Sequence, residues 1–219
     1  MPTVLSVQSR VAYGHVGNAA SVFPLQRLGI EAWALDTVAF SNHTGHGRWR
    51  GAVVAAAAIT EVFEGIAEFF RDTALALADI ITPNRFELEY LTGHTVATLG
   101  EAGIAAAALR ALGPGIVLVT SIEVEPDRIA MLAAGPDGVW AVETPRLPVM
   151  LNGCGDVTAA LFLGRLLRGE GLPDALALTA ASMYGIIEAT MRLGRYELAL
   201  VAAQEELVAP SLNVVAQKL

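Results

Sequence analysis

The first forty residues constrain the fold more than any other segment, because two strand-like stretches flank one helix-like stretch. TVLSVQS (residues 3–9) and IEAWALDTVAF (30–40) carry the apolar residues of short strands, and AASVFPLQRLG (19–29) between them has helical spacing. Gly29 stands where a helix commonly ends in the left-handed conformation. Strand, helix and strand in this order predict a parallel strand pair joined by a right-handed crossover.

The rest of the chain continues this alternation. Pro83 ends a short strand, and Asn84 and Glu87 have the spacing of a helix capping box. A buried strand is predicted in PGIVLVTS, a hairpin in RIAMLAAGPDGVWAVETP with its turn at PDG, and helices in EAGIAAAALRALG, LPDALALTAASMYGIIEAT and YELALVAAQEELV. We therefore expect one α/β domain over residues 1–219, built on a central, mainly parallel sheet.

Composition excludes several classes of function. The net charge is −8 and no basic block is present, so nucleic acid is not an expected partner. No run of about 18 apolar residues free of charge is present, so no membrane-spanning helix is expected. The start lacks the pattern of a secretory signal. The single cysteine excludes an internal disulfide, which fits a cytoplasmic protein.

The stretch LNGCGDVTAALFLGRLLRG (151–169) carries the strongest chemical signal. Glycines before a helix let the backbone approach an anion, and the free N–H groups and the helix dipole favour negative charge there. Asp156 would repel such an anion unless it takes part in the chemistry. Accepting a proton from an attacking hydroxyl during phosphoryl transfer is the role that fits. The alternative, which spacing alone leaves open, is that Asp156 is an ordinary first-turn residue and that the glycines only shape a turn.

Cys154 and the histidines are the other reactive groups to consider. A thiolate is favoured at a helix N-terminus, but no histidine lies near Cys154 in the sequence, so we predict a small spacer and not a nucleophile. His15, His43 and His46 have a spacing that matches no standard metal-ligand pattern, which predicts solvated loop histidines.

These segments together resemble one family. GCGD (153–156) is a variant of the Gly-small-Gly-Asp signature of ribokinase-like kinases, and residues 4–51 resemble the start of a pyridoxal kinase. DIITPNRFELEYLTG, PRLPVMLNGCGDVTAALFLGRLL and YELALVAAQEEL also fit that family. The resemblance implies a ribokinase-like three-layer α/β/α fold, usually as a homodimer. It also implies ATP-dependent phosphorylation of the 5′-hydroxymethyl group of pyridoxal, pyridoxine or pyridoxamine, which gives pyridoxal 5′-phosphate in vitamin B6 salvage.

The resemblance further implies roles around the phosphoryl acceptor. Asp156 would be the general base, and the anion hole would consist of Gly153, Cys154 and Gly155. The substrate would be contacted by Ser9, Thr44 and Gly45, with Asp36 as a weaker candidate. The alternatives are that Ser9 only caps a loop and that Thr44 is only a turn residue.

Other residues are implied on the nucleotide side. Glu87, with Asn84 beside it, would organise Mg²⁺ through water. Thr82 and Thr120 would lie along the phosphates or a monovalent cation, and the adenine side would be bordered by Pro145, Arg146 and Leu147. The alternatives are that Glu87 is only the capping-box partner of Asn84 and that Thr120 only caps a strand.

The main departure from the family is a missing segment. After TEVFEGIAE (60–68) the family continues for several tens of residues, which include part of the substrate lid and an aspartate that helps to hold the cation. Here Glu68 is followed directly by Phe69, and a smaller shortening lies in SIEVEPDRIAML. Either the sequence omits residues that the molecule contains, or the deletion is real and activity is in doubt. We favour omission, because losing inner strands would expose sheet edges.

Two other functions stay open. A hydroxymethylpyrimidine kinase would share the superfamily, although the N-terminal SVQS and YGHVGN segments favour pyridoxal. A non-catalytic protein that binds a vitamer or a nucleotide is the alternative that the apparent deletion favours.

Overall fold

The computed structural model describes residues 3–53 and 78–219. Contacts divide the chain into two units. The first comprises Met1–Val62, Leu147–Glu170 and Ala181–Asn213, and the second comprises Phe63–Arg146, Gly171–Ala180 and Val214–Leu219. The single domain over residues 1–219 stays a prediction. The junction of Glu68 and Phe69 lies outside the described residues.

The described residues form eight strands, five α-helices and two short 3₁₀ helices. In chain order these are β1 (Thr3–Tyr13), α1 (Asn18–Arg27), β2 (Glu31–Asn42), a 3₁₀ turn (Thr44–His46), β3 (Gly51–Val53), β4 (Ile80–Ile81), α2 (Arg85–Thr92), α3 (Leu99–Arg110), β5 (Ile116–Glu125), β6 (Arg128–Gly135), β7 (Gly138–Pro145), α4 (Cys154–Leu167), α5 (Leu172–Arg192), a second 3₁₀ helix (Gln204–Leu207) and β8 (Gln217–Lys218).

The first unit is built on the predicted strand, helix and strand. β1 and β2 are parallel, and β3 pairs antiparallel with β2. Gly29 follows α1 with a φ of 76°, so the parallel pair and the helix end are both confirmed. α4 packs against α1. A Cβ on Gly164 would lie 2.7 Å from Leu28 Cδ1, so this glycine lets α4 approach the end of α1.

The helix predicted in YELALVAAQEELV is wrong. Residues 196–203 contain turns, and only Gln204–Leu207 forms a 3₁₀ helix. The backbone N–H of Ala199 donates to Thr190 Oγ1 over 3.0 Å, so it is not available to a helical ladder. Leu198, Ala199 and Leu200 are all buried, which a helix with a single apolar face does not allow.

The second unit contains a five-stranded sheet in the order β4-β5-β6-β7-β8. β4 and β5 are parallel, and the other neighbours are antiparallel. The predicted hairpin is confirmed, since Gly135 at the end of β6 pairs with Gly138 at the start of β7. The alanine-rich α3 adds one face to the core of this unit, with Ala102, Ala105, Ala106 and Leu109.

Both α2 and α3 begin with a capping box. Asn84 Oδ1 accepts the N–H of Glu87 over 3.0 Å, and Glu87 Oε2 accepts the N–H of Asn84 over 2.8 Å. Thr98 and Glu101 form the same reciprocal pair at the start of α3. The capping box predicted at Asn84 is therefore confirmed.

The predicted α/β class is confirmed by the alternation of helices and strands along the chain. Among the described strands, parallel pairing joins β1 to β2 and β4 to β5. The other four pairs, β2–β3, β5–β6, β6–β7 and β7–β8, are antiparallel. None of the described helices combines the length and the apolar character that crossing a membrane requires.

Candidate functional site

The loop that starts α4 depends on a glycine. Gly153 precedes the helix with a φ of 85°, a conformation that favours glycine. A Cβ on Gly153 would collide with the main-chain oxygen of His15, so the loop lies directly against the segment that follows β1. α4 then begins at Cys154, as the LNGCGD stretch predicts. Gly155 is exposed in the first turn of the helix.

Asp156 lies half-buried in the first turn of α4 and reaches the start of α1. Its Oδ2 accepts a hydrogen bond from the N–H of Gly17 over 3.0 Å. Ser21 Oγ donates to the main-chain oxygen of Asp156 over 3.3 Å. The carboxylate is therefore held close to the N-termini of two helices, where negative charge is favourable.

Ser9 lies at an irregularity of β1 beside this group. The register between β1 and β2 shifts between Gln8 and Arg10, so Ser9 lies where the pairing of the two strands is irregular. A Cβ on Gly17, whose φ is 57°, would collide with the main-chain oxygen of Ser9 and would lie 2.6 Å from Ser9 Oγ. Gly17 therefore packs on Ser9 while it donates to Asp156, so these three residues form one contiguous group.

Asp36, the weaker substrate candidate, has structural partners. Its Oδ1 accepts a hydrogen bond from Asn18 Nδ2 over 2.8 Å, and its Oδ2 lies 3.5 Å from Arg10 Nη1. Asn18 is buried and also accepts a hydrogen bond from Ser6 Oγ over 2.7 Å. The carboxylate of Asp36 therefore helps to hold α1 on the β1–β2 pair.

Thr44 and Gly45 are exposed in the 3₁₀ turn between β2 and β3. A Cβ on Gly45 would lie 3.3 Å from Asn152 Nδ2, so the turn lies beside the loop that precedes α4. The structure thus brings the predicted substrate turn next to the predicted anion loop.

Glu197 joins three segments of the first unit, and sequence reasoning missed it. Its Oε1 lies 2.9 Å from both His43 Nε2 and His46 Nε2, and its Oε2 accepts the N–H of His15 over 3.1 Å. The His43 side chain is only 11% exposed, so the prediction of a solvated loop histidine is wrong for His43. His46 is exposed, as predicted, although its ring also contacts Glu197. His15 contributes its backbone here, while its ring Nδ1 lies 3.3 Å from Ala19 O.

The Glu197 carboxyl predicts a pH dependence of stability. Burial raises its pKa, but hydrogen bonds from His15, His46 and His43 outweigh burial, so the pKa lies below the ordinary value of 4.5. The ionised carboxylate therefore stabilises the fold above pH 4.5, and this contribution is lost as the pH falls through the lowered pKa. Glu197→Gln should be less stable than the wild type at pH 7, and the difference should shrink below pH 4.5.

Thermal unfolding of both proteins between pH 7 and pH 3 measures this effect. Glu205→Gln is the control, because the Glu205 side chain is 82% exposed and, within the described part of the chain, forms a surface ion pair with Arg27 alone. A destabilisation by Glu197→Gln that stays constant across the pH range would contradict the prediction.

Cys154 is held as a thiol. Burial and the negative charge of Asp156 raise its pKa from 9.0 to about 11. This supports the prediction of a spacer, because the thiolate and not the thiol is the nucleophile.

Alkylation of Cys154 is expected to be slow. A pKa two units above the ordinary value leaves about 100-fold less thiolate near neutral pH. Iodoacetamide should therefore modify the folded protein at pH 8 about 100-fold more slowly than the unfolded chain. Cys154→Ala should lower kcat far less than a change of Asp156, since only the backbone at position 154 is assigned a role. Equal alkylation rates in the folded and unfolded protein would contradict this expectation.

In the second unit, the predicted phosphate-side residues come together just beyond the parallel pairing of β4 and β5. Asn84 and Thr120 form a parallel bridge, and the N–H of Thr120 donates to Pro83 O over 3.0 Å. Thr82 and Glu87 lie on either side of Asn84 along the chain and are exposed. The carboxyl ends of parallel strands are where ligands gather in α/β sheets.

Ser121 is a second residue that sequence reasoning missed. Its φ is 60°, and it is the one non-glycine residue with positive φ in the described part of the chain. It lies where the register of β5 with β6 shifts, between Val119 and Ile122. Such bulges turn the chain next to functional sites, and here the bulge follows Thr120. The sequence has no glycine or asparagine at this position that could have indicated it.

The predicted adenine-side residues follow β7. Pro145 ends that strand, and the N–H of Arg146 donates to Asp127 O over 2.7 Å. The guanidinium of Arg146 lies 2.9 Å from Glu123 Oε1. Arg146 is thereby fixed beside the β5–β6 turn. Leu147 begins the chain segment of the first unit that leads to α4.

Comparison with known proteins identifies relatives along nearly the whole chain. Residues 52–200 match the family model described as phosphomethylpyrimidine kinase. The pyridoxal kinase PdxY of Rubrobacter xylanophilus is 46% identical, in an alignment that covers 96% of this chain and 95% of that protein.

Solved structures are similar as well. The pyridoxal kinase of Trypanosoma brucei is 28% identical with a TM-score of 0.84, covering 99% of this chain and 98% of that one. The pyridoxal kinase of Leishmania donovani, in complex with ADP and pyridoxine, is 23% identical with a TM-score of 0.87 and covers 99% of both chains. The chain therefore has the ribokinase-like α/β fold predicted from its sequence, and it belongs to the pyridoxal kinase family.

Proposed function

We propose that this protein transfers the γ-phosphoryl group of ATP to the 5′-hydroxymethyl group of pyridoxal, pyridoxine or pyridoxamine. The observation that carries the proposal is the position of Asp156. Its carboxylate is anchored by the N–H of Gly17, beside Ser9 and behind the glycine loop at the start of α4. The 46% identity to a pyridoxal kinase supports the choice of acceptor.

Asp156 would act as the general base. The hydrogen bond from the Gly17 N–H occupies Oδ2, and the second carboxylate oxygen would accept the proton of the substrate hydroxyl. The backbone N–H groups of Gly153, Cys154 and Gly155 would stabilise the transferring phosphoryl group, helped by the dipole of α4. Phosphoryl transfer passes through a loose transition state, in which correct positioning of the reacting groups contributes most to catalysis. The hydrogen bond from Gly17 provides such positioning for the Asp156 carboxylate.

Ser9, Thr44 and Gly45 would contact the vitamer. Ser9 supports this role because it lies at an irregularity of the strand pairing and against Gly17, the residue that anchors Asp156. Thr44 and Gly45 support it because both are exposed and Gly45 lies beside Asn152, one residue before the glycine loop.

Most of the residues proposed for the nucleotide lie in the second unit. Thr82 and Thr120 would lie along the phosphates or a monovalent cation, and the adenine would be bordered by Pro145, Arg146 and the neighbouring Leu147. Mg²⁺ would be organised by Glu87 with Asn84, and the metal would neutralise charge on the phosphates. The donor set fits this metal, because Glu87 is an exposed carboxylate with one oxygen committed to the Asn84 N–H.

Glu87→Gln separates the metal role from the capping role. Glutamine keeps an acceptor for the Asn84 N–H, so stability should change by less than about 1 kcal/mol. Loss of the negative charge should raise the Mg²⁺ concentration needed for half-maximal rate. Glu101→Gln is the matched control, because Glu101 has the same capping-box position in α3. An equal Mg²⁺ requirement in the two variants would leave Glu87 with a capping role only.

Incubation of the protein with Mg-ATP and each vitamer, with detection of the phosphorylated product, tests the function. We expect turnover of at least one B6 vitamer, and no turnover of any would refute the proposal. Hydroxymethylpyrimidine belongs in the same assay, because the description of the matching family model favours it as the second candidate. Binding of a vitamer without ADP release would instead identify a non-catalytic protein.

We also propose that the chain lacks an internal segment that its relatives contain. The alignment with the Rubrobacter protein extends over 275 positions, whereas this chain has 219 residues. The larger number of aligned positions supports a missing segment. Its position, between Glu68 and Phe69, is inferred from the sequence resemblance. Either the protein contains residues that the sequence omits, or the segment is truly deleted, and the intact mass of the purified protein decides between the two. A mass well above 22.9 kDa would show that residues are missing from the sequence.

The assembly and location are part of the same proposal. We propose a homodimer in the cytoplasm, supported by the resemblance to the family and by the single cysteine. Sedimentation of the purified protein tests the dimer.

A further inference from the structure

We propose that His43, His46 and Glu197 form a site for a transition-metal dication of the Zn²⁺ class, distinct from the Mg²⁺ that accompanies ATP. The ligand atoms of these residues all lie within 4.8 Å of one another. His43 Nε2 and His46 Nε2 are each 2.9 Å from Glu197 Oε1. The two imidazole rings lie side by side, with centroids 4.2 Å apart and planes inclined by 35°.

These separations suit a metal with little movement of the ligands. Zinc bonds of about 2.0–2.1 Å to nitrogen and oxygen place tetrahedral ligand atoms about 3.3 Å apart. Each nitrogen would need to move from Oε1 by only a few tenths of an ångström. Two imidazoles and one carboxylate favour Zn²⁺, Co²⁺, Ni²⁺ or Cu²⁺ over Mg²⁺ and Ca²⁺, which prefer oxygen ligands.

The surroundings of the cluster add to this fit. The Glu197 oxygen that faces away from the histidines accepts the N–H of His15, and this fixes the orientation of the carboxylate. The Gly14 backbone, at a φ of 104°, approaches the carboxylate so closely that a Cβ there would collide with it. The His43 and Glu197 side chains are 11% and 13% exposed and that of His46 is 34% exposed, so an ion could enter from the His46 side and keep water ligands.

Occupation of this site would fix the turn that carries Thr44 and Gly45, because these residues stand between the two histidine ligands. This consequence rests on the proposed function. Pyridoxine binding with and without Zn²⁺, in the absence of nucleotide, measures it. The metal site itself is tested by metal binding alone, which does not depend on kinase activity. A failure of the metal site can therefore be distinguished from a failure of the proposed function.

Calorimetric titration of the full chain with Zn²⁺, without ATP, Mg²⁺ or vitamer, is the experiment. We expect one site in the wild type, and a loss of affinity of about 100-fold or more in His46→Ala and in Glu197→Gln, since losing even an outer partner costs about 10–100-fold. His94→Ala is the matched control, because His94 is exposed in the second unit and, among residues 3–53 and 78–219, is hydrogen-bonded to Thr92 alone. Its affinity should equal that of the wild type.

Co²⁺ gives a second readout that stability does not affect. Its visible absorption should increase on binding to the wild type and to His94→Ala, and should be lost in His46→Ala. Circular dichroism verifies that each variant is folded. Absence of stoichiometric Zn²⁺ binding by the wild type, or unchanged affinity in folded His46→Ala and Glu197→Gln, would overturn the proposal and leave the cluster as hydrogen bonds alone.

Discussion

Asp156→Asn is expected to lower kcat by about 10²- to 10⁴-fold, which is the contribution of a general base to proton transfer. The amide oxygen of asparagine can still accept the Gly17 N–H, which lies 3.0 Å from Oδ2 in the wild type. The glycine loop and α1 should therefore keep their places. The amide cannot take the proton of the substrate hydroxyl, so chemistry and not binding should be lost. Initial rates at saturating Mg-ATP and pyridoxal measure kcat, and ATP titration measures binding.

Asp174→Asn controls for the loss of a charge at a helix start. Asp174 is an exposed acidic residue in the first turn of α5, as Asp156 is in α4. Each change removes a favourable interaction of about 0.3–1 kcal/mol with a helix dipole. If Asp156 were only a first-turn residue, the two variants would share a small loss of stability and a normal rate. A wild-type kcat for Asp156→Asn would refute its assignment as the base.

The parts of the site that depend on neighbours in the chain could be predicted from the sequence. A capping box needs only Asn84 and Glu87 three residues apart, and it is present as predicted. The glycine loop before α4 was predicted in the same way, because Gly153 and the apolar run after it are local signals. The parallel pair of β1 and β2 also follows from a short connection, whose right-handed crossover is strongly preferred.

Contacts between distant segments could not be predicted. Gly17 and Asp156 are 139 residues apart, and His43 and Glu197 are 154 apart, so no spacing rule connects them. The wrong prediction of a helix around Glu197 has the same origin, because a contact with a distant residue decides the backbone there. Its apolar residues have helical spacing, but the side chain of Thr190 takes the N–H of Ala199. Tertiary contacts thus determine the local backbone structure of this segment, and they also bring the Glu197 carboxylate to His43 and His46.

Gly153→Ala is expected to have the largest effect on stability. A φ of 85° costs a residue with a Cβ about 1–2 kcal/mol. The new methyl group would also collide with His15 O, which belongs to the backbone and cannot rotate away. Together these effects should destabilise the fold by about 2–4 kcal/mol. For a chain of this size, Tm should fall by about 5–15 °C, which differential scanning calorimetry measures.

The same substitution should reduce turnover by about 100-fold, since displacing a catalytic loop by about 1 Å has an effect of that order. Gly155→Ala is the matched control for stability, because a Cβ there meets no atom within 4 Å and the position is helical. Alanine should stabilise that position by up to about 1 kcal/mol. If both variants lowered Tm equally, the loss of stability would be caused by adding a methyl group in this loop and not by the backbone conformation of Gly153. A drop confined to Gly153→Ala would show that the close approach of His15 to the loop requires a glycine.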